Sequence, residues 1–105
     1  MTHAFHPEAA AEFEESVRYY RDRGQVLGDR FSFEVRAAIH KIIATPSRWR
    51  IFDEDVRMCV VRVFPYCVLY TVESNFILII ALMHGKREPG YWKHRLDSKP
   101  KLRSR

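Results

Sequence analysis

Cysteine is scarce in this chain: only Cys59 and Cys67 occur among 105 residues. Two thiols can furnish neither a disulfide framework nor the ligand set of a structural zinc site, and in a reducing compartment both are expected to stay free. Long apolar runs are also missing. No stretch approaches the ~18 residues that a membrane span requires, so no membrane association is expected. Residues 1–6 lack the basic start and apolar stretch of a secretory signal, and the expected location is the cytoplasm. A Gly-rich phosphate loop, G-x-S-x-G and H-E-x-x-H are all absent. His3, His6, His40, His84 and His94 are scattered, so neither a metal site nor a cofactor is expected.

What remains is an ordinary globular composition, 47% hydrophobic and 30% charged, in a length that suits one domain. A chain this size buries about 60–70% of its unfolded surface, so its core is thin. The net charge of +5 is unevenly spread. Residues 1–55 hold 8 Lys/Arg against 10 Asp/Glu, a balance of −2, whereas residues 56–105 hold 10 against 3, a balance of +7. Such asymmetry fits a nucleic-acid surface or an acidic partner, and equally a solvated basic tail.

Residues 2–6 read as a short edge strand. Pro7 suits a first helical position and Glu8 the positive end of the helix dipole. Ala9, Phe13, Val17 and Tyr20 then recur at helical spacing, and Gly24 stops the helix. After a connector over 25–28, a second helix is predicted for 29–44. Its stripe is Phe31, Val35, Ala38, Ile39, Ile42 and Ile43, and Thr45-Pro46 ends it. Residues 57–64, 66–73 and 76–84 read as strands, the last apolar on both faces and therefore central. The predicted fold class is α+β: a short N-terminal strand, a two-helix antiparallel hairpin, then a three-stranded antiparallel meander. One domain over 1–96 is expected, followed by a basic, flexible tail over 97–105.

Glu14 with Glu15, and Asp53-Glu54-Asp55, read as solvated charge. The richer cluster joins Arg57 and Arg62 on the first meander strand to the closing run His84-Gly85-Lys86-Arg87-Glu88-Pro89-Gly90-Tyr91-Trp92. An imidazole beside arginines and aromatics can bind phosphate, stack on a base or move a proton. The structural alternative is as simple: Trp92 caps the core, Arg87 pairs with a carboxylate, and His84 bonds the backbone.

These residues carry a resemblance. Phe5-His6-Pro7-Glu8-Ala9, Tyr19-Tyr20, Gly28-x-x-Phe31, Pro46, Arg57, Phe64-Pro65-Tyr66, Tyr70 and the closing run, in this order, resemble the RelE/ParE superfamily of toxin–antitoxin toxins, in its ParE-like plasmid-stabilisation branch. The resemblance implies a compact sheet with a helical hairpin. It implies the toxin of a type II system, neutralised by a cognate antitoxin in a toxin–antitoxin hetero-oligomer. Such antitoxins lay an amphipathic segment in an apolar groove, for which Phe13, Val17, Tyr20 and Phe31 are the candidates.

The ParE branch implies inhibition of DNA gyrase by binding, with Arg57, Arg62, Lys86, Arg87 and Trp92 as candidate target contacts. The RelE branch implies cleavage of mRNA on the ribosome, with His84, Arg87 and Tyr91 as candidate catalytic residues. Met58 and Val60 stand where RelE-like nucleases carry lysines, and Cys67 where they carry an arginine. Without those cations a charged transition state loses stabilisation, which favours a binding inhibitor over a ribonuclease. An inactive member serving only antitoxin assembly and autoregulation is the third reading.

Overall fold

The computed structural model describes residues 1–101. The chain runs β1 (Thr2–Phe5), α1 (Pro7–Arg21), α2 (Gln25–Ala44), β2 (Ile51–Asp53), β3 (Val56–Val60), β4 (Tyr66–Val72), β5 (Phe76–His84) and a 3-10 turn at Lys93–Ser98. The strands form one five-stranded sheet in the order β1-β5-β4-β3-β2. β1 lies parallel to β5, from Thr2↔Phe76 to Phe5↔Ile79, and the other pairings are antiparallel. The α+β architecture, the helical hairpin and the meander therefore stand as expected.

Local chemistry explains the helices. His6 caps α1 with its own ring: Nδ1 accepts the Glu8 N–H at 3.1 Å, and Pro7 fills the position where an N–H would be wasted. α2 starts at Gln25 rather than 29. Gly28, read as connector, lies inside the helix because a side chain there would strike α1: an added Cβ would sit 3.0 Å from the Cα of Arg21 and closer still to its side chain. The glycine marks where the two helices touch.

β2 was not expected. Its three residues turn into β3 through Glu54, at φ 54, so the acidic triplet is part strand and part tight turn. β3 ends at Val60, earlier than predicted, and residues 61–65 form an irregular loop.

The sheet is covered on both faces. The hairpin packs Phe31, Val35, Ile39 and Ile42 against Cys59, Val68, Tyr70, Ile77 and Ile79. The opposite face carries Val56, Leu69, Leu78 and Ile80, and the C-terminal segment closes it with Trp92 and Leu96. Trp92 is 1% exposed. It was expected to contact a target and instead takes the structural alternative, a core cap, because this sheet face has no helix to cover it. Cys59 and Cys67 are free and belong to opposite faces, which keeps them apart.

Of the expected tail, Asp97–Lys99 are held in place. Asp97 and Ser98 close the 3-10 turn, Ser98 Oγ lies 3.1 Å from His6 Nε2, and Lys99 Nζ reaches Glu73 at 3.2 Å. Residues 102–105 fall outside the described part. Among the described residues no helix is long and apolar enough to cross a membrane, and no group of His, Cys, Asp and Glu could hold a metal.

Candidate functional site

The site grows from an irregularity in β5. Tyr70 pairs with Ile79, but Leu69 pairs with Ala81, so Ile80 is an extra residue. A bulge of this kind reverses which face the following side chains occupy. Ile77 and Ile79 face the hairpin before it, and Leu82 faces the hairpin after it. His84, two residues on, is thereby brought to the helix side, where its ring meets Tyr66 edge-on at 5.0 Å. Glu12, Glu15, Ser16, Tyr66, Leu82, His84 and Arg87 line an open pocket of about 180 Å³ there.

Glu12 organises this end of the sheet. β1 stops at Phe5, leaving the β5 edge that faces it without a strand partner beyond Ile79. The Leu82 N–H donates to Glu12 Oε1 at 3.0 Å, and the Ile80 carbonyl accepts from Arg95 Nη1 at 3.0 Å. Arg95 in turn grips Glu12 at two points, 2.8 and 3.0 Å. Carboxylate and guanidinium thus stand in for the missing strand, satisfying backbone groups that would be costly to leave bare.

Tyr91 donates its hydroxyl to Glu12 Oε2 at 2.6 Å, and the Arg87 guanidinium lies 3.8 Å over its ring. Burial and the bond to Glu12 push the Tyr91 pKa well up. The phenol is locked as a donor, which suits neither a general base nor a phenolate nucleophile. His84 accepts the Lys86 N–H on Nδ1 at 3.0 Å, leaving Nε2 for other work.

The other candidates separate. Arg57 pairs in register with Tyr70, itself opposite Ile79, about 17 Å along the strand from His84 at ~3.4 Å per residue. Its guanidinium donates to the Trp49 carbonyl at 2.5 Å, so it ties down the segment before β2 instead of joining the cluster. Arg62, Lys86 and Arg87 are exposed and lie at the same end of the sheet, where the Gly85 N–H donates to the Pro65 carbonyl at 2.9 Å.

On the hairpin, Phe31 is fully buried among Tyr20, Phe64 and Tyr66, so it supports the groove floor without lining it. Phe13 and Val17, half-buried, line a hollow of about 590 Å³ with Arg18, Arg21 and Arg36 and with Glu14 and Asp22. Two further hollows adjoin it, and Arg36 borders all three. Phe33 lines the last and is 65% exposed. Sequence reading passed over it because it lies off the α2 core stripe. A large aromatic between exposed arginines was the available signal.

These features define a small mixed sheet with a helical hairpin across one face and a capped bulge at its end. The same fold occurs in a solved chain of the chromosomal ParDE toxin–antitoxin system of P. aeruginosa, at 16% identity and a TM-score of 0.70, covering 80% of this chain and 95% of that one. The family model described as the ParE toxin of the type II toxin–antitoxin system, parDE, matches residues 4–89, and the chain belongs to that family. No curated protein matches it. Tyr91 and Arg95, two partners of Glu12, lie beyond the matched residues.

Proposed function

We propose that this ParE-family toxin acts by binding, with DNA gyrase as its target, and that a cognate antitoxin neutralises it by seating an amphipathic helix in the hairpin groove. The observation that carries the binding reading is the bond from Tyr91 to Glu12. Of the three catalytic candidates, Tyr91 is committed to a structural carboxylate, and Arg87 rests on its ring. Glu12 and Glu15 line the pocket beside His84. Arg95 neutralises Glu12, and Arg87 shares the pocket with Glu15, so no surplus of cations awaits a phosphodiester, and Met58, Val60 and Cys67 add none.

The groove supports the antitoxin half. Phe13, Val17 and Phe33 give it an apolar floor, and its wall mixes Arg18, Arg21 and Arg36 with Glu14 and Asp22. That combination suits an amphipathic helix that lays its apolar stripe on the floor and carries charges of both signs along its flanks. Purified toxin is expected to inhibit DNA supercoiling by gyrase at micromolar concentration. Absence of inhibition from a preparation that still binds its antitoxin rejects gyrase as the target.

The free Nε2 of His84 favours a second reading, an mRNA endonuclease with His84 as acid/base. It requires cleavage of ribosome-bound mRNA that disappears in His84→Ala, and wild-type toxin that cleaves no RNA excludes it.

A further inference from the structure

The sheet face opposite the hairpin is not covered to its end. Val60 pairs with Cys67 and Cys67 with Met83, so these side chains form a row across three strands. Cys67 and Met83 are half-buried at the margin of the Trp92 cluster, and Val60 is 66% exposed. The loop after β3 carries a second exposed valine, Val63, 67% exposed.

Val63 has φ 76. A β-branched residue is strained in this left-handed region, where glycine or asparagine sits at little cost. The loop does not drift to relieve it. The Val61 N–H donates to the Tyr66 carbonyl at 2.9 Å, the Tyr66 N–H to the Phe64 carbonyl at 2.8 Å, and the Gly85 N–H to the Pro65 carbonyl at 2.9 Å. A loop needed only to reverse the chain would be more stable with glycine at this position. Strain held in a fixed loop, with an apolar side chain presented to water, points to a contact made with something else.

The surroundings say what that is. Arg62, Lys86 and Arg87 are exposed at this end of the sheet, and none forms an ion pair among the described residues. Glu88 is the exposed carboxylate in the same run. We infer that Val60, Val63, Cys67 and Met83, rimmed by Arg62 and Lys86, dock an acidic segment of the protein that this toxin inhibits. An apolar side chain of that segment meets the valines and its carboxylates meet the rim.

This deepens the binding reading above and rests on it. A protein fits better than a nucleic acid because the row is aliphatic and offers no free aromatic face for a base: Tyr66 and Trp92 are buried, and Arg87 covers the Tyr91 ring. The patch also lies on the face away from the hairpin groove, so it serves the target rather than the antitoxin.

The test compares growth arrest on inducing the full-length chain as wild type, Val63→Gly, Val60→Asp and Val26→Asp. The last is a control at the exposed start of α2. Val63→Gly is expected to raise the melting midpoint by roughly a few degrees and to weaken arrest roughly tenfold. A more stable protein that is less toxic cannot be explained by misfolding. Val60→Asp is expected to weaken arrest similarly, by placing a carboxylate against an acidic partner, with a midpoint lowered by no more than about a few degrees for a strand residue exchanged for Asp, while Val26→Asp arrests growth like wild type.

Either patch variant arresting growth like wild type overturns the inference, as does equal loss in Val26→Asp. So does loss of arrest that tracks loss of binding to a short DNA duplex. Wild-type arrest without supercoiling inhibition, lost in both patch variants, sinks the gyrase reading and leaves the patch standing. A wild type that arrests nothing sinks both.

Discussion

Glu12 and Arg95 meet in a two-point ion pair, with Nη1 to Oε1 at 2.8 Å and Nη2 to Oε2 at 3.0 Å, joining α1 to the C-terminal turn across the bulged end of β5. Arg95 is buried, and Glu8 Oε1 lies 3.5 Å from its Nε. Glu12 has its remaining capacity taken by the Leu82 N–H and the Tyr91 hydroxyl. Desolvation makes such a pair a weak source of net stability, but removing one partner strands the other.

Glu12→Ala is therefore expected to cost about 3 kcal/mol in chemical denaturation, because it leaves the Arg95 charge buried and the Leu82 N–H unpaired. The double variant Glu12→Leu/Arg95→Met should cost clearly less than the two single changes added together. Additive losses would mean that the pair is not coupled.

Stability should fall with acid through His6. Burial, the largest influence, lowers its pKa, and its Nδ1 is occupied by the Glu8 N–H. The folded state thus prefers neutral imidazole, whereas the unfolded chain takes up a proton near pH ~6.5. Between the lowered folded value and about 6.5 the unfolded chain holds more protons, so stability declines as pH drops through that window and is whole above it. His6→Asn keeps a capping side chain without the titration. Its urea midpoint should change less between pH 7 and pH 5 than that of wild type, and an equal change would assign the acid sensitivity elsewhere.

Gly28→Ala pits propensity against space. Alanine gains about 1 kcal/mol over glycine in a helix interior. The new Cβ would lie 3.0 Å from the Arg21 Cα, which is backbone and cannot swing aside, and overpacking of this kind costs about 1–3 kcal/mol. A net loss is expected, seen as a lower melting midpoint. A gain would show that the helices can part freely.

Phe33→Ala should separate binding from folding. Phe33 is mostly exposed, so its loss is expected to change stability by less than ~0.5 kcal/mol. If the antitoxin seats beside it, affinity should drop by roughly ten- to thirtyfold, about 2 kcal/mol, in calorimetry. Unchanged affinity would place the antitoxin elsewhere.

The elements legible in the sequence were those with long periodic signals. The stripe of α2 and the doubly apolar run Phe76–His84 were readable because many side chains agree on one period. What escaped depended on single residues and distant partners. The Ile80 bulge leaves no mark in a continuously apolar run, yet it decides which face Leu82 and His84 occupy. Arg95 drew no reading of its own from the sequence, because nothing local shows that Glu12 and the Ile80 carbonyl await it.

The closing run was legible as a cluster but ambiguous in role, and most of the structural alternatives hold. Trp92 caps the core and His84 accepts a backbone N–H, while Arg87 lies over the Tyr91 ring rather than on a carboxylate.

Binding and catalysis part most clearly in stoichiometry. Titrating gyrase of known active concentration with this toxin should give inhibition that saturates near one toxin per target site and is reversed by added antitoxin, with no RNA cleaved. Complete inhibition of translation by a small fraction of an equivalent, accompanied by cleaved mRNA and abolished by His84→Ala, would contradict the binding account.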